Sequence, residues 1–186
     1  MQKKELRIKY KEKRSKLSNA EQDYISRLVA GHLCAYFDLT GKKISCFVPI
    51  IRFQEINTWL LLDTVKADFY LPVMCENENL KHVRYEGKDQ LKKNSFGVLE
   101  PQSGAEINSD QLDIVLVPML AINSKGYRVG YGKGYYDKFL ANCKPDCIFI
   151  GMYQFDEFEE IDDVHGADIP LHYCIMPKGI FTFTRQ

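Results

Sequence analysis

The chain has 186 residues, 25 basic and 25 acidic side chains, an apolar fraction of 45% and a charged fraction of 27%. That length suits a single domain, residues 1–186, with a full hydrophobic core, while zero net charge argues against a general nucleic-acid binder and no apolar run approaches the ~20 residues of a membrane span. Six cysteines, at 34, 46, 75, 143, 147 and 174, form neither a CxxC pair nor a Cys/His cluster of zinc-site spacing, so they read as reduced thiols.

Residues 3–16 hold eight Lys or Arg against two Glu and are expected to form a surface helix, with Leu6, Tyr10 and Leu17 as a narrow apolar stripe. This basic start has no apolar stretch of the secretory kind, so the expected location is the cytoplasm. Ser18 and Glu21 make a capping box, after which Ile25, Leu28, Val29, Leu33 and Tyr36 repeat at helical spacing to about Asp38. His32, on the same face, reads as a packed core histidine. KISCFVPII (43–51) predicts a strand, and Asn57 and Thr58 offer an N-cap to a helix over WLLLDTVKA. DFYLPVM (68–74) and LKHVRYE (80–86) predict two more strands, followed by a turn-rich stretch from Gly87 to Asp110. The unbroken aliphatic run LDIVLVP (112–118) is the pattern of a central strand covered on both faces. After a glycine-rich segment, Tyr135, Tyr136, Phe139, Leu140 and Cys143 fall at helical spacing, and CIFIGMY (147–153) returns as a buried strand. Cys46, Cys147 and Cys174 stand in strand-like apolar runs where a small hydrophobe fits.

Residues 156–168 carry seven Asp or Glu and no Lys or Arg. The basic and acidic runs read either as solvated faces or as two sides of a site for an anionic substrate and its metal. Strand and helix alternate along the chain, which predicts a layered α/β fold with a mostly parallel central sheet flanked by helices, and ligands at the carboxyl ends of its strands.

The chemistry concentrates in GYRVGYGKGYYD, Gly126 to Asp137. Glycines at 130, 132 and 134 would ruin a buried strand, but they permit positive φ and let an anion approach backbone N–H groups. Arg128 and Lys133 add positive charge. The spacing is neither GxxxxGK[ST] nor GxGxxG, so neither the Walker nor the Rossmann phosphate loop is present. Read from the residues alone, the segment is compatible with an ATP-using enzyme, with a sugar-phosphate isomerase or transferase, or with a non-catalytic nucleotide or nucleic-acid binding module.

RVGYGKGYYD after VPMLAI resembles the signature of the 5-formyltetrahydrofolate cyclo-ligase (5,10-methenyltetrahydrofolate synthetase) family. KKELR near the start, QEINT (54–58), LPV (71–73), FGVLEP (96–101) and ADIPL (167–171) follow in that family's order. The resemblance implies ATP- and Mg²⁺-dependent closure of 5-formyltetrahydrofolate to 5,10-methenyltetrahydrofolate, with ADP and phosphate released through a phosphorylated formyl intermediate. It implies ATP contacts at Lys3, Lys4, Arg7, Arg128, Gly130, Tyr131, Gly132, Lys133, Gly134, Tyr135 and Tyr136, with Lys133, Arg128 and Tyr136 catalytic. Glu55 and Tyr136 would meet the folate, and Asp137 and Asp168 would hold the metal. The implied partners are ATP and a reduced folate, with no nucleic acid, membrane or obligate protein partner. Met119 stands where the family usually has glycine, Ile122 where it favours phenylalanine, and ADIPLHYCIMP follows the family's C-terminal pattern only loosely.

Overall fold

The aliphatic run at 114–118 becomes the middle of the sheet because both of its faces find cover: Ile114 and Leu116 enter one apolar cluster, Val115 and Val117 another. The computed structural model describes residues 1–75 and 79–184. In chain order the elements are α1 (Lys3–Ser15), α2 (Asn19–Tyr36), β1 (Lys43–Ser45), α3 (Trp59–Leu62), β2 (Asp68–Met74), β3 (Leu80–Arg84), β4 (Leu91–Lys93), β5 (Leu99–Pro101), β6 (Glu106–Ile107), β7 (Ile114–Pro118), β8 (Ala121–Ile122), β9 (Arg128–Val129), α4 (Tyr135–Leu140), β10 (Ile148–Met152), β11 (Tyr173–Met176) and β12 (Gly179–Thr182). Eight strands form the main sheet in the order β12-β11-β10-β7-β1-β2-β3-β6. Its interior, from β11 to β2, is parallel, and β12, β3 and β6 join antiparallel at the edges. Two-stranded pairs β4/β5 and β8/β9 decorate it. The layered, mostly parallel α/β architecture is therefore the one the alternation predicts. Among the described residues, no helix is long and apolar enough to cross a membrane.

One cluster packs α1 and α4 against one face of the sheet, with Leu6, Tyr10, Phe139 and Leu140 over Val115, Val117 and Phe149. The other sets Val29 and Leu33 of α2 and Leu61 of α3 over Ile44, Leu116 and Ile150. The Ser18 capping box forms as read, the Ser18 hydroxyl accepting from the Glu21 amide and the Glu21 carboxylate from the Ser18 amide. His32 is half-buried and bonds the Pro177 carbonyl oxygen at 3.1 Å, and Cys46, Cys147 and Cys174 are buried free thiols.

Several expectations are corrected. α1 lies on the surface as read, with Lys3, Leu6, Tyr10 and Arg14 buried along the one side that faces the sheet and the glycine loop, but its basic residues do not stand in water alone, because the acidic run pairs with them. Lys9 pairs with Glu159, Lys13 with Glu157 and Lys3 with Asp168, while the Tyr10 hydroxyl reaches Glu157 and Glu159 at 2.7 Å each. The two charged runs thus neutralise each other rather than facing water separately. β1 ends at Ser45, since beyond Cys46 the chain turns away from the sheet into a 3-10 turn at Ile51–Phe53. α3 stops after one turn; Asn57 Oδ1 takes the Trp59 amide, whereas the Thr58 hydroxyl donates to the Phe47 carbonyl instead of capping. The stretch 87–110 contains three short strands; β11 forms in the apolar run around Cys174, as read, and β12 completes the sheet beyond it.

Candidate active site

At the carboxyl ends of β1 and β7 the strand order divides: β1 leads on to β2 on one side, and β7 to β10 and β11 on the other. Loops leaving two such strands diverge, and the crevice between them is where open α/β sheets take ligands. The loop after β1 delivers Glu55, and the segment after β7 delivers the glycine loop.

Glu55 follows a kink. Gln54 has φ 48° and ψ 47°, a left-handed conformation that costs a non-glycine residue about 1–2 kcal/mol. The turn sends the Glu55 side chain inward, leaving the residue 5% exposed. Its Oε2 accepts from the Ile50 amide at 2.7 Å and its Oε1 from the Tyr131 hydroxyl at 2.5 Å. Burial pushes the Glu55 carboxyl above the usual range, with Tyr131, the Ile50 amide and Arg14 opposing.

Tyr131 lies stacked on Phe53, ring centroids 5.3 Å apart, and accepts a hydrogen bond from Arg14 Nη1 at 3.1 Å. Arg14, only 3% exposed, donates through Nη2 to the Met119 carbonyl. A continuous chain Arg14–Tyr131–Glu55 thereby joins α1, the glycine loop and the loop after β1. Burial and then the nearby Glu55 charge raise the pKa of both the Tyr131 and the Tyr136 phenols, which stay protonated.

The glycine loop is shaped from two sides. The β8/β9 hairpin closes at Gly126 (φ 85°), where a Cβ would stand 2.9 Å from the Leu171 carbonyl oxygen. At Gly132 (φ 96°) a Cβ would meet the Arg7 guanidinium carbon at 3.0 Å, so the absent side chain is the space Arg7 fills. Arg7 Nε donates to the Gly130 carbonyl at 2.9 Å, and Gly134, also left-handed, opens α4. Lys133 and Lys4 are exposed, and Tyr135 and Tyr136 are half-buried.

Two predicted cations are committed to predicted metal ligands. The Arg128 side chain is 4% exposed; its Nη1 donates to the Ile169 carbonyl at 2.6 Å and its Nη2 to Asp137 Oδ1 at 2.9 Å, an oxygen that also takes the Ile169 amide at 3.1 Å. Lys3 Nζ donates to Asp168 Oδ2 at 2.5 Å, and the His165 amide reaches the same oxygen at 2.7 Å. Burial alone would raise the Asp168 carboxyl, but His165 and Lys3 outweigh it and hold the group below its ordinary value. Among the described residues, no three His, Cys, Asp or Glu side chains gather as a metal cage.

Three contributors escaped the sequence reading. Arg14 stands seven residues after Arg7, two helical turns along the same face, a spacing that could have found it. Phe53 and Gln154 carry no such signal, because their contacts come from loops and strand ends distant in sequence.

A family model described as the 5-formyltetrahydrofolate cyclo-ligase family matches residues 1–157. A Haemophilus influenzae protein named 5-formyltetrahydrofolate cyclo-ligase is 28% identical over 177 residues, covering 90% of this chain and 93% of the relative. Among solved structures, an Aquifex aeolicus 5,10-methenyltetrahydrofolate synthetase superposes with a TM-score of 0.85 at 29% identity, over 100% of this chain and 95% of that one. A Mycoplasma pneumoniae 5,10-methenyltetrahydrofolate synthetase shares the fold with a TM-score of 0.74 at 22% identity, over 94% and 98% of the two chains.

Proposed function

The chain belongs to the 5-formyltetrahydrofolate cyclo-ligase family, and from that premise we propose how its residues divide the work. The enzyme uses ATP to convert 5-formyltetrahydrofolate into 5,10-methenyltetrahydrofolate. The observation that carries the assignment is the Arg14–Tyr131–Glu55 chain, which sets a buried carboxylate directly beside a glycine loop flanked by Arg7 and Lys133.

A formamide oxygen is a poor leaving group. In the proposed sequence it attacks the γ-phosphorus of ATP, the bond from that phosphorus to the bridging oxygen breaks, and ADP departs. The formyl carbon, now an iminium-like centre bearing a phosphate ester, is attacked by N10, which loses its proton. Inorganic phosphate leaves and the five-membered methenyl ring is closed. The protein's share is alignment and charge neutralisation. Lys133 and the amides of residues 130–134 face the phosphates, Arg7 supports the loop, and Lys3 and Lys4 add positive charge at the start of α1. Glu55 accepts from N–H donors of the pterin, and Tyr136 borders the same ring.

The carboxylates fit Mg²⁺. Asp137 and Asp168 each commit one oxygen to protein donors and, among the described residues, hold the other without a protein hydrogen bond. Two carboxylate oxygens completed by phosphate and water suit a hard cation. Bound there, Mg²⁺ would supply charge neutralisation at the ATP phosphates; Arg128 and Lys3 hold the two carboxylates in place.

Steady-state kinetics with each substrate varied in turn test the division. Glu55→Gln should raise KM for 5-formyltetrahydrofolate about tenfold or more, the loss expected of a charge-assisted hydrogen bond, with KM for ATP little changed. Lys133→Ala should show the reverse, with an unaltered melting temperature. An effect of Glu55→Gln confined to ATP would overturn the assignment.

A further inference from the structure

We propose that Gln154, just beyond the end of β10, is a positioning residue for Glu55, and that Gln22 of α2 completes the clamp; this rests on Glu55 being the folate-facing carboxylate. The kink that aims Glu55 is made at Gln54, the only non-glycine residue with positive φ among the described residues. Such a conformation persists only where its surroundings hold it. Here both carbonyls that flank the Glu55 peptide link are held by side-chain amides. Gln154 Nε2 donates to the Gln54 carbonyl and, at 2.6 Å, to Gln22 Oε1. Gln22 Nε2 in turn donates to the Glu55 carbonyl at 2.5 Å. Gln54 is also tied to the end of the α1 segment, its Nε2 donating to the Leu17 carbonyl at 2.8 Å.

Gln154 is 1% exposed, and its own Oε1 has no hydrogen-bond partner. Both hydrogen bonds of this buried amide go to the turn and to Gln22, the residue that holds the turn's other carbonyl. What it does secure is local: it fastens a strained turn to the rigid carboxyl end of a central parallel strand. With both carbonyls released, Gln54 can relax toward the right-handed region, and the Glu55 carboxylate loses its fixed place against the Ile50 amide and Tyr131. Such a loss falls first on the folate; the glycine loop gives up its Tyr131 bond to Glu55 but keeps its ties to α1, Arg7 on the Gly130 carbonyl and Arg14 on the Tyr131 hydroxyl.

The test is a double-mutant cycle on Gln154→Leu and Glu55→Gln, with KM for each substrate, kcat and melting temperature measured for all four enzymes. Gln154→Leu preserves bulk and removes the N–H donors. It should raise KM for 5-formyltetrahydrofolate about tenfold while KM for ATP and the melting temperature stay near the parent values, and it should add nothing further in the Glu55→Gln enzyme. If Gln154→Leu does not fold, Gln22→Met, at a half-buried helical position, takes its place in the same cycle. Additive losses, an equal rise in both KM values, or a lower melting temperature with both KM values intact would overturn the clamp. An unaltered folate KM in Glu55→Gln alone would overturn the Glu55 assignment, and the clamp with it.

Discussion

Asp137 shows how one side chain can serve the fold and the chemistry through different atoms. Its Oδ1 is the anchor for Arg128 and for the Ile169 amide, and an asparagine oxygen would serve both donors. The charge is what asparagine lacks, and a hard cation demands it. Asp137→Asn is therefore expected to keep its melting temperature within a few degrees and to lose turnover at least about a hundredfold, with partial recovery at high Mg²⁺. Near-normal turnover at low Mg²⁺ would remove Asp137 from the metal site. The RVGYGKGYYD signature pointed to this residue directly. It could not say that Arg128 would be buried against it, because that contact depends on Ile169, brought up by a segment more than thirty positions later.

At the scale of elements, α1 and the glycine loop form one unit. Arg7 occupies the space that any side chain at residue 132 would need, and its Nε holds the Gly130 carbonyl. Gly132→Ala therefore meets two penalties, a left-handed φ of 96° and a 3.0 Å contact with the Arg7 guanidinium. The expected outcome is a rise in KM for ATP on the order of tenfold, with folate KM unchanged; in an Arg7→Ala background the contact vanishes and only the smaller cost of backbone strain remains. Equal effects in the two backgrounds, read from ATP kinetics, would separate Arg7 from the loop. The elements that could be read from sequence were those whose cause is local. The Ser18–Glu21 box and the doubly covered run at 114–118 carry their reasons within a few residues. What could not be read for α1 was its pairing with the acidic run at 156–168, because a count of charges does not reveal that two runs of opposite sign will meet. The Gln54–Glu55 turn was invisible for a related reason: glutamine has no preference for the left-handed region, and the groups that impose it come from α2 and the end of β10.

At the scale of the molecule, the strand order fixes where the substrates meet, since β1 and β7 are the neighbours from which the chain departs in opposite directions. The same packing sets a pH dependence of stability away from the site. His82 of β3 is 2% exposed and stacks on Phe139 of α4 at 4.2 Å, and burial lowers its pKa to about 3. A depressed histidine pKa means that the unfolded chain takes up the proton first as pH falls. The stability contributed by neutral His82 is present above the unfolded value of ~6.5 and is lost as pH falls from there toward 3, with a slope up to about 1.4 kcal/mol per pH unit. His82→Phe should therefore lose about 2 kcal/mol less than the parent between pH 6.5 and 5, measured by urea unfolding; identical losses would show that His82 titrates normally. The most direct test of the central claim remains chemical. The purified protein, given ATP, Mg²⁺ and 5-formyltetrahydrofolate, should generate the near-ultraviolet absorbance of the conjugated methenyl product, releasing ADP and phosphate in equal amounts and only when both substrates are present. Absence of that absorbance, or ATP consumption that proceeds equally without the folate, would contradict the account.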